Sequence, residues 1–89
     1  VRIDAGATGE RAIVFADVPP YGLVQILRPD GTILRSLPDG GARRVRWDVR
    51  TEGGAPVGGG LYRARVIARD RSGRAMPAQL LSFGLVRDE

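Results

Sequence analysis

"RWDVRTEGGAPVGGGLY", residues 46–62, holds the chain's single tryptophan, Trp47, and ends on Tyr62. Between them lie Pro56, five of the 13 glycines and two carboxylates, Asp48 and Glu52. Such a run is either a phosphate cradle or a crossing between two strands. A phosphate loop of the Walker type needs Gly-Lys-Ser/Thr opening a helix, so that backbone N–H groups and the lysine meet the phosphates. Here Gly58, Gly59 and Gly60 lead into a strand-like run and no lysine follows. A dinucleotide fingerprint fails for the same reason, since it too requires a following helix. Asp48 and Glu52 are hard oxygen donors of the kind calcium takes, but their spacing matches no EF-hand loop. The short Asp48 side chain is suited to bonding the turn backbone instead. The sequence therefore predicts no cofactor and no metal.

On both sides of this stretch, apolar and polar residues alternate in short runs. Turn signals recur about every ten residues, and Gly or Pro breaks every helical window. Strands are predicted at Val1 to Asp4, Arg11 to Asp17, Gly22 to Arg28, Thr32 to Leu37, Arg43 to Val49, Leu61 to Arg69, and Ala78 to Arg87. The sixth is the clearest: in "LYRARVIAR" Tyr62, Ala64, Val66 and Ala68 share one face, and Arg63, Arg65, Ile67 and Arg69 the other. Ile13, Phe15, Val24, Ile26, Val45 and Trp47 are predicted to face inward, as are Leu81, Phe83 and Leu85. "AGATGE" (5–10) reads as a turn. "VPPYG" (18–22) reads as a rigid corner, because its prolines remove two donors. "PDGT" (29–32) and "PDG" (38–40) read as two successive hairpin turns. "DRSGR" (70–74) reads as a turn with Gly73 left-handed.

Seven short antiparallel strands imply an all-β, immunoglobulin-like or fibronectin type III-like sandwich in one domain spanning residues 1–89. Trp47, Tyr62, Phe15 and Phe83 are the expected large core residues. A chain of 89 residues buries roughly 60% or a little more of its unfolded surface, so the core is modest. With no cysteine, packing must stabilise it without disulfides or thiolate metal sites. The chain begins at Val1 rather than Met, which reads as a fragment or a processed product.

All 14 basic residues are arginine, and lysine, asparagine and histidine are absent. The formal net charge of +4 raises nucleic acid as a partner. The spacing favours solvated strand faces: Arg63, Arg65 and Arg69 form one stripe, Arg44 and Arg46 another. They are expected on opposite sheets, which divides the charge and leaves no dedicated nucleic-acid site. Without histidine, cysteine or lysine there is no triad, thiolate or Schiff-base chemistry. Asp48 with Glu52 is the remaining acid–base pair, in a glycine-rich loop with no deep cleft. No enzymatic activity and no membrane insertion are expected.

Trp47, Asp48, Gly54, Val57, Gly60 and Tyr62 fall at the spacings of a known pattern. The segment resembles the signature of the FlgD-type immunoglobulin-like domain of flagellar hook-capping proteins. Similar modules are appended as C-terminal sorting domains to secreted bacterial proteins. "GLVQILRPDGTILRSL" (22–37) and "ERAIVFADVP" (10–19) agree in outline, so the likeness covers roughly residues 10–75. Two positions depart: Arg28 stands where the family often has Asp, and Val49 where it prefers glycine. At Val49 the turn is expected to differ, with strand pairing running one residue further.

The resemblance implies a non-enzymatic structural or interaction module of a bacterial extracellular or surface protein. It would serve as a spacer, an anchoring or sorting domain, or a unit assembling by strand-edge pairing, with neighbouring domains, other proteins or further copies as partners. The first strand, the last strand and the Thr32 to Leu37 strand are the candidate edges. The alternative is a carbohydrate- or polyanion-binding accessory module. Tyr21 is its one free aromatic, with packing against the proline corner the competing fate.

Overall fold

The computed structural model describes residues 1–5 and 12–85. Within them the chain forms seven strands: β1 (Arg2–Ala5), β2 (Ile13–Ala16), β3 (Leu23–Leu27), β4 (Ile33–Pro38), β5 (Arg44–Trp47), β6 (Gly60–Ile67) and β7 (Gln79–Leu85). No helix occurs among the described residues. The predicted turn at residues 6–10, the Arg11 start of the second strand, and its counterpart at Val86 and Arg87 lie outside them.

The strands pair antiparallel in two sheets, β1-β2-β5 and β4-β3-β6-β7. Period-2 alternation turns one face of each sheet inward. β2 and β5 supply Phe15, Val45 and Trp47; β3 and β6 supply Val24, Ile26, Ala64 and Val66. Val18, Leu34, Val49 and Val57 complete the buried cluster. The result is an immunoglobulin-like, fibronectin type III-like sandwich. It differs from the constant-type immunoglobulin arrangement, because its fourth strand pairs with the third and not with the sheet of the first, second and fifth.

Phe83 is the hub of the aromatics. Its ring meets Phe15 and Trp47 edge to face, at 6.1 and 6.3 Å between centroids, and lies tilted against Tyr62 at 6.2 Å. Such pairs add about 0.5–1.5 kcal/mol to what burial alone gives. Phe15 and Trp47 are fully buried, whereas Tyr62 and Phe83 are half-buried at the sandwich margin.

Two local expectations are corrected. Residues 29–32 do make the β3–β4 hairpin, with Gly31 at φ +93 and its N–H bonded to the Arg28 carbonyl. The segment 38–43 is not a second hairpin: it carries the chain from β4 in one sheet to β5 in the other. Its Asp39 is buried and its carboxylate accepts the N–H groups of Tyr21 and Arg43, both at positive φ. One side chain thereby ties the Pro19–Pro20 corner to the crossover. Secondly, β5 stops at Trp47 and does not run on through Val49. Val49 takes φ +61, the conformation glycine would supply, while its side chain is buried in the core. The left-handed backbone costs a β-branched residue roughly 1–2 kcal/mol. Burial of the isopropyl group is of the same size, about 1.5 kcal/mol or more.

The register fixes the path through the sandwich. Arg2 pairs with Ala16, and Ala16 with Arg44, so β1 starts at the end where Asp39 lies. Leu85 pairs with Gly60, at the opposite end, where the 48–59 loop lies. The described chain therefore starts at one end of the sandwich and reaches the other at Leu85.

Candidate functional site

The 48–59 loop follows from its own residues. The Thr51 N–H donates to the Ala55 carbonyl at 2.8 Å and the Ala55 N–H to the Thr51 hydroxyl at 3.2 Å, a small hairpin closed by Gly54 at φ +89, whose N–H donates to the Thr51 carbonyl. Arg50 bridges to Pro56, and the Val57 N–H reaches the Val49 carbonyl, which turns Val57 into the core. The Trp47 indole N–H donates to the Arg50 carbonyl at 2.9 Å, so its polar edge is satisfied in full burial. Asp48 Oδ1 accepts the Arg50 N–H at 3.1 Å, an Asx turn. Gly60 opens β6 at φ +146. Tyr62 then donates its hydroxyl to the Gly58 carbonyl at 2.6 Å, four residues upstream. This is the bond of a tyrosine corner, which pins the entry of a strand to the loop before it. Trp47, Asp48, Gly54, Val57, Gly60 and Tyr62 thus gather at one end of the sandwich and brace a crossing between the sheets.

Asp48 and Glu52 face a cation of the chain's own. Arg35 Nη1 lies 3.4 Å from Asp48 Oδ1 and 3.1 Å from the Thr51 carbonyl, and Arg35 Nε is 3.9 Å from Glu52 Oε2. Sequence reasoning passed over Arg35, which an alternating strand would have left pointing to solvent. A register shift in the β3–β4 pairing beside Leu27 changes that alternation. Glu52 also caps the free edge of β4. Its carboxylate accepts the Ser36 N–H at 2.8 Å, and its N–H donates to the Leu34 carbonyl at 3.1 Å.

The remaining described carboxylates are also engaged in structure. Asp4 and Asp17 pair with Arg2. Asp30 is held below the ordinary carboxylate range by the Thr32 N–H, with help from the Thr32 hydroxyl. Asp70 is lowered by the Ser72 hydroxyl and then by the Arg74 N–H, in the turn where Gly73 has φ +83. Among the described residues, no cluster of three or more histidine, cysteine or acidic side chains is placed to hold a metal ion.

The arginine stripes lie on opposite sheets, Arg44 and Arg46 on β5 and Arg63 and Arg65 on β6. Tyr21 is 69% exposed, with its ring beside Gly41. The predicted edges β1, β4 and β7 are edges, and β5 is a fourth that sequence reasoning did not name. Pro29, Leu61, Tyr62, Arg63, Ser82 and Phe83 line an open depression of about 140 Å³ beside β7.

Fold and site together define an immunoglobulin-like sandwich whose 46–62 motif braces the crossing between its sheets. No family model and no curated protein matches the chain. Among solved structures it is similar to part of PorZ, a bacterial surface component of the type-IX secretion system of Porphyromonas gingivalis. The TM-score is 0.67 at 22% identity, over 86% of this chain and 10% of that one. At that identity the likeness is one of fold, and this chain spans about a tenth of the solved chain's length.

Proposed function

We propose that this chain is a non-enzymatic structural and interaction module of a bacterial secreted or cell-surface protein. The observation that carries the reading is the path of the described chain, which starts at one end of the sandwich, beside Ala16 and Arg44, and reaches the other at Leu85. That geometry suits a module threaded in line with its neighbours, as a spacer or an anchoring domain. Three further points support it. The described carboxylates serve turns, staples and an edge cap, which leaves none poised for acid–base work. The fold is shared with a segment of a surface component of a secretion system. The 46–62 pattern resembles the FlgD-type immunoglobulin-like domain, whose motif is architectural.

An in-frame deletion of residues 1–89 from the protein that carries them tests the proposal. The parent is expected to be made and exported but released from its surface assembly, as read by fractionation of cells and medium. Retention equal to wild type would overturn it. Replacement by an unrelated sandwich of equal length then separates the roles: restored retention assigns a spacer, continued release a specific contact.

A further inference from the structure

We propose that the free edge of β7 binds an extended segment of a partner protein with alternating acidic and apolar side chains, adding it as a fifth strand to the four-stranded sheet. The proposal rests on the interaction-module reading and names the partner's chemistry.

The edge itself is the first argument. Natural sheets protect their edges with charge, proline, a bulge, shortness or a covering loop. β7 is seven residues, Gln79–Leu85, with no charged residue and no proline. Its pairing with β6 runs from Gly60 to Val66 without a register shift. Edge β4, by contrast, has the shift, ends in Pro38 and is capped by Glu52. β5 and β1 are four residues each and carry arginine.

The two faces beside the edge then specify what fits. On the outer face, Arg63 lies opposite Ser82 and Arg65 opposite Leu80. Among the described residues no ion pair is formed by either arginine, and Arg65 Nη1 donates to the neutral Gln25 Oε1 at 3.4 Å. An added strand would run about 10 Å from β6, two strand spacings, within the joint reach of an arginine and a glutamate side chain. Leu61 and Leu80 stand 76% and 52% exposed on this face. On the inner face, Leu81, Phe83 and Leu85 are half-buried against the core. A strand whose residues alternate acidic outward and apolar inward meets both demands at once.

Other occupants match less of this. A second copy brings the same arginines and the same +4 charge, which repels. A nucleic acid or sulfated glycan meets the arginines but leaves the peptide groups of β7 without partners.

The test uses the full chain and a capped nine-residue peptide alternating Glu and Val. Controls are a Lys–Val peptide, the Glu–Val peptide N-methylated at alternate residues in either register, and polyglutamate. Binding is read by titration, and the site by hydrogen exchange of β7 amides. The Glu–Val peptide is expected to bind at low salt, to protect β7, and to lose affinity in either N-methylated form. The double substitution Arg63→Ser, Arg65→Ser, at one exposed and one half-buried position, is expected to weaken it about tenfold at low salt, and by less at about 0.5 M. Undiminished Trp47 fluorescence would show that this variant keeps its fold. Equal binding of the Lys–Val peptide, the N-methylated peptides or polyglutamate would overturn the proposal. So would β7 protection that grows with chain concentration without peptide, because it would assign the edge to a second copy. Failure here leaves the deletion result untouched, so the two readings fall separately.

Discussion

Along the margin where β4 meets β5, the 48–59 loop crosses between the sheets. Trp47 and Val57 are buried behind it, Arg35 is clasped within it, and Glu52 occupies the edge groups of Ser36 and Leu34. Along the margin where β1 meets β7, no hydrogen bond joins the two strands among the described residues. There the apolar side chains of Ile3, Leu81, Phe83 and Leu85 are covered in part. Both margins face the same physical requirement, since unpaired strand groups and apolar rows both need a partner. One is met by seventeen residues of local sequence, 46–62; at the other, the described residues provide no comparable loop.

The sharpest probe of this contrast is packing. Trp47→Ala is expected to cost about 3–5 kcal/mol, enough to unfold much of a domain this small. Phe83→Leu, half-exposed at the other margin, should cost about 1 kcal/mol. Denaturant unfolding checks both, and equal costs would mean the margins are equally closed. The next effect is electrostatic and smaller. Arg35→Ala should destabilise by about 1 kcal/mol, since its partners are partly solvated, while Arg63→Ala should stay within about 0.5 kcal/mol. Hydrogen exchange at the Ser36 amide should accelerate in the first variant and not in the second.

Smallest is the response to acid. Asp30 and Asp70 both have lowered folded values, so the unfolded chain takes up these protons more readily. Their contribution is present above the ordinary carboxylate range and is lost as pH falls through the folded values. Asp70 anchors the turn between β6 and β7, so the open margin should loosen at that turn in acid. Amide shifts of Ser72 and Arg74 followed through a pH titration would show it; flat shifts would refute it.

The strands and their inward faces were legible because period-2 alternation is a local property. Val24, Ile26, Val45 and Trp47 all lie where the alternation puts them. The turn at 70–74 was legible too, since Asp and Gly at those places have few other uses. The change of sheet after β4 was not. "PDG" at 38–40 has the same letters as at 29–31, and what separates them is Asp39's bonding to Tyr21, eighteen residues away. Gly22 was equally silent: a Cβ there would lie 2.9 Å from the carbonyl oxygens of Pro19 and Ile67. Val49 shows the limit from the other direction. The resemblance led to glycine being expected there, and Val49 takes the left-handed conformation that favours glycine, at φ +61, with its side chain buried in the core. Residues acting on distant neighbours, such as Arg35, leave no local mark.

Entry and exit at opposite ends also set how the sandwich would bear load. Tension applied at residues 1 and 85 would pull β1 and β7 lengthwise in opposite directions. Antiparallel ladder bonds lie across the strands, so they would be strained in shear, all at once and not one by one. Among the described residues the β1–β2 ladder spans four residue pairs and the β6–β7 ladder seven. The N-terminal strand is therefore expected to detach first. Stretching a tandem array at the single-molecule level should show a short first extension as β1 detaches, and detachment of β7 first would contradict this.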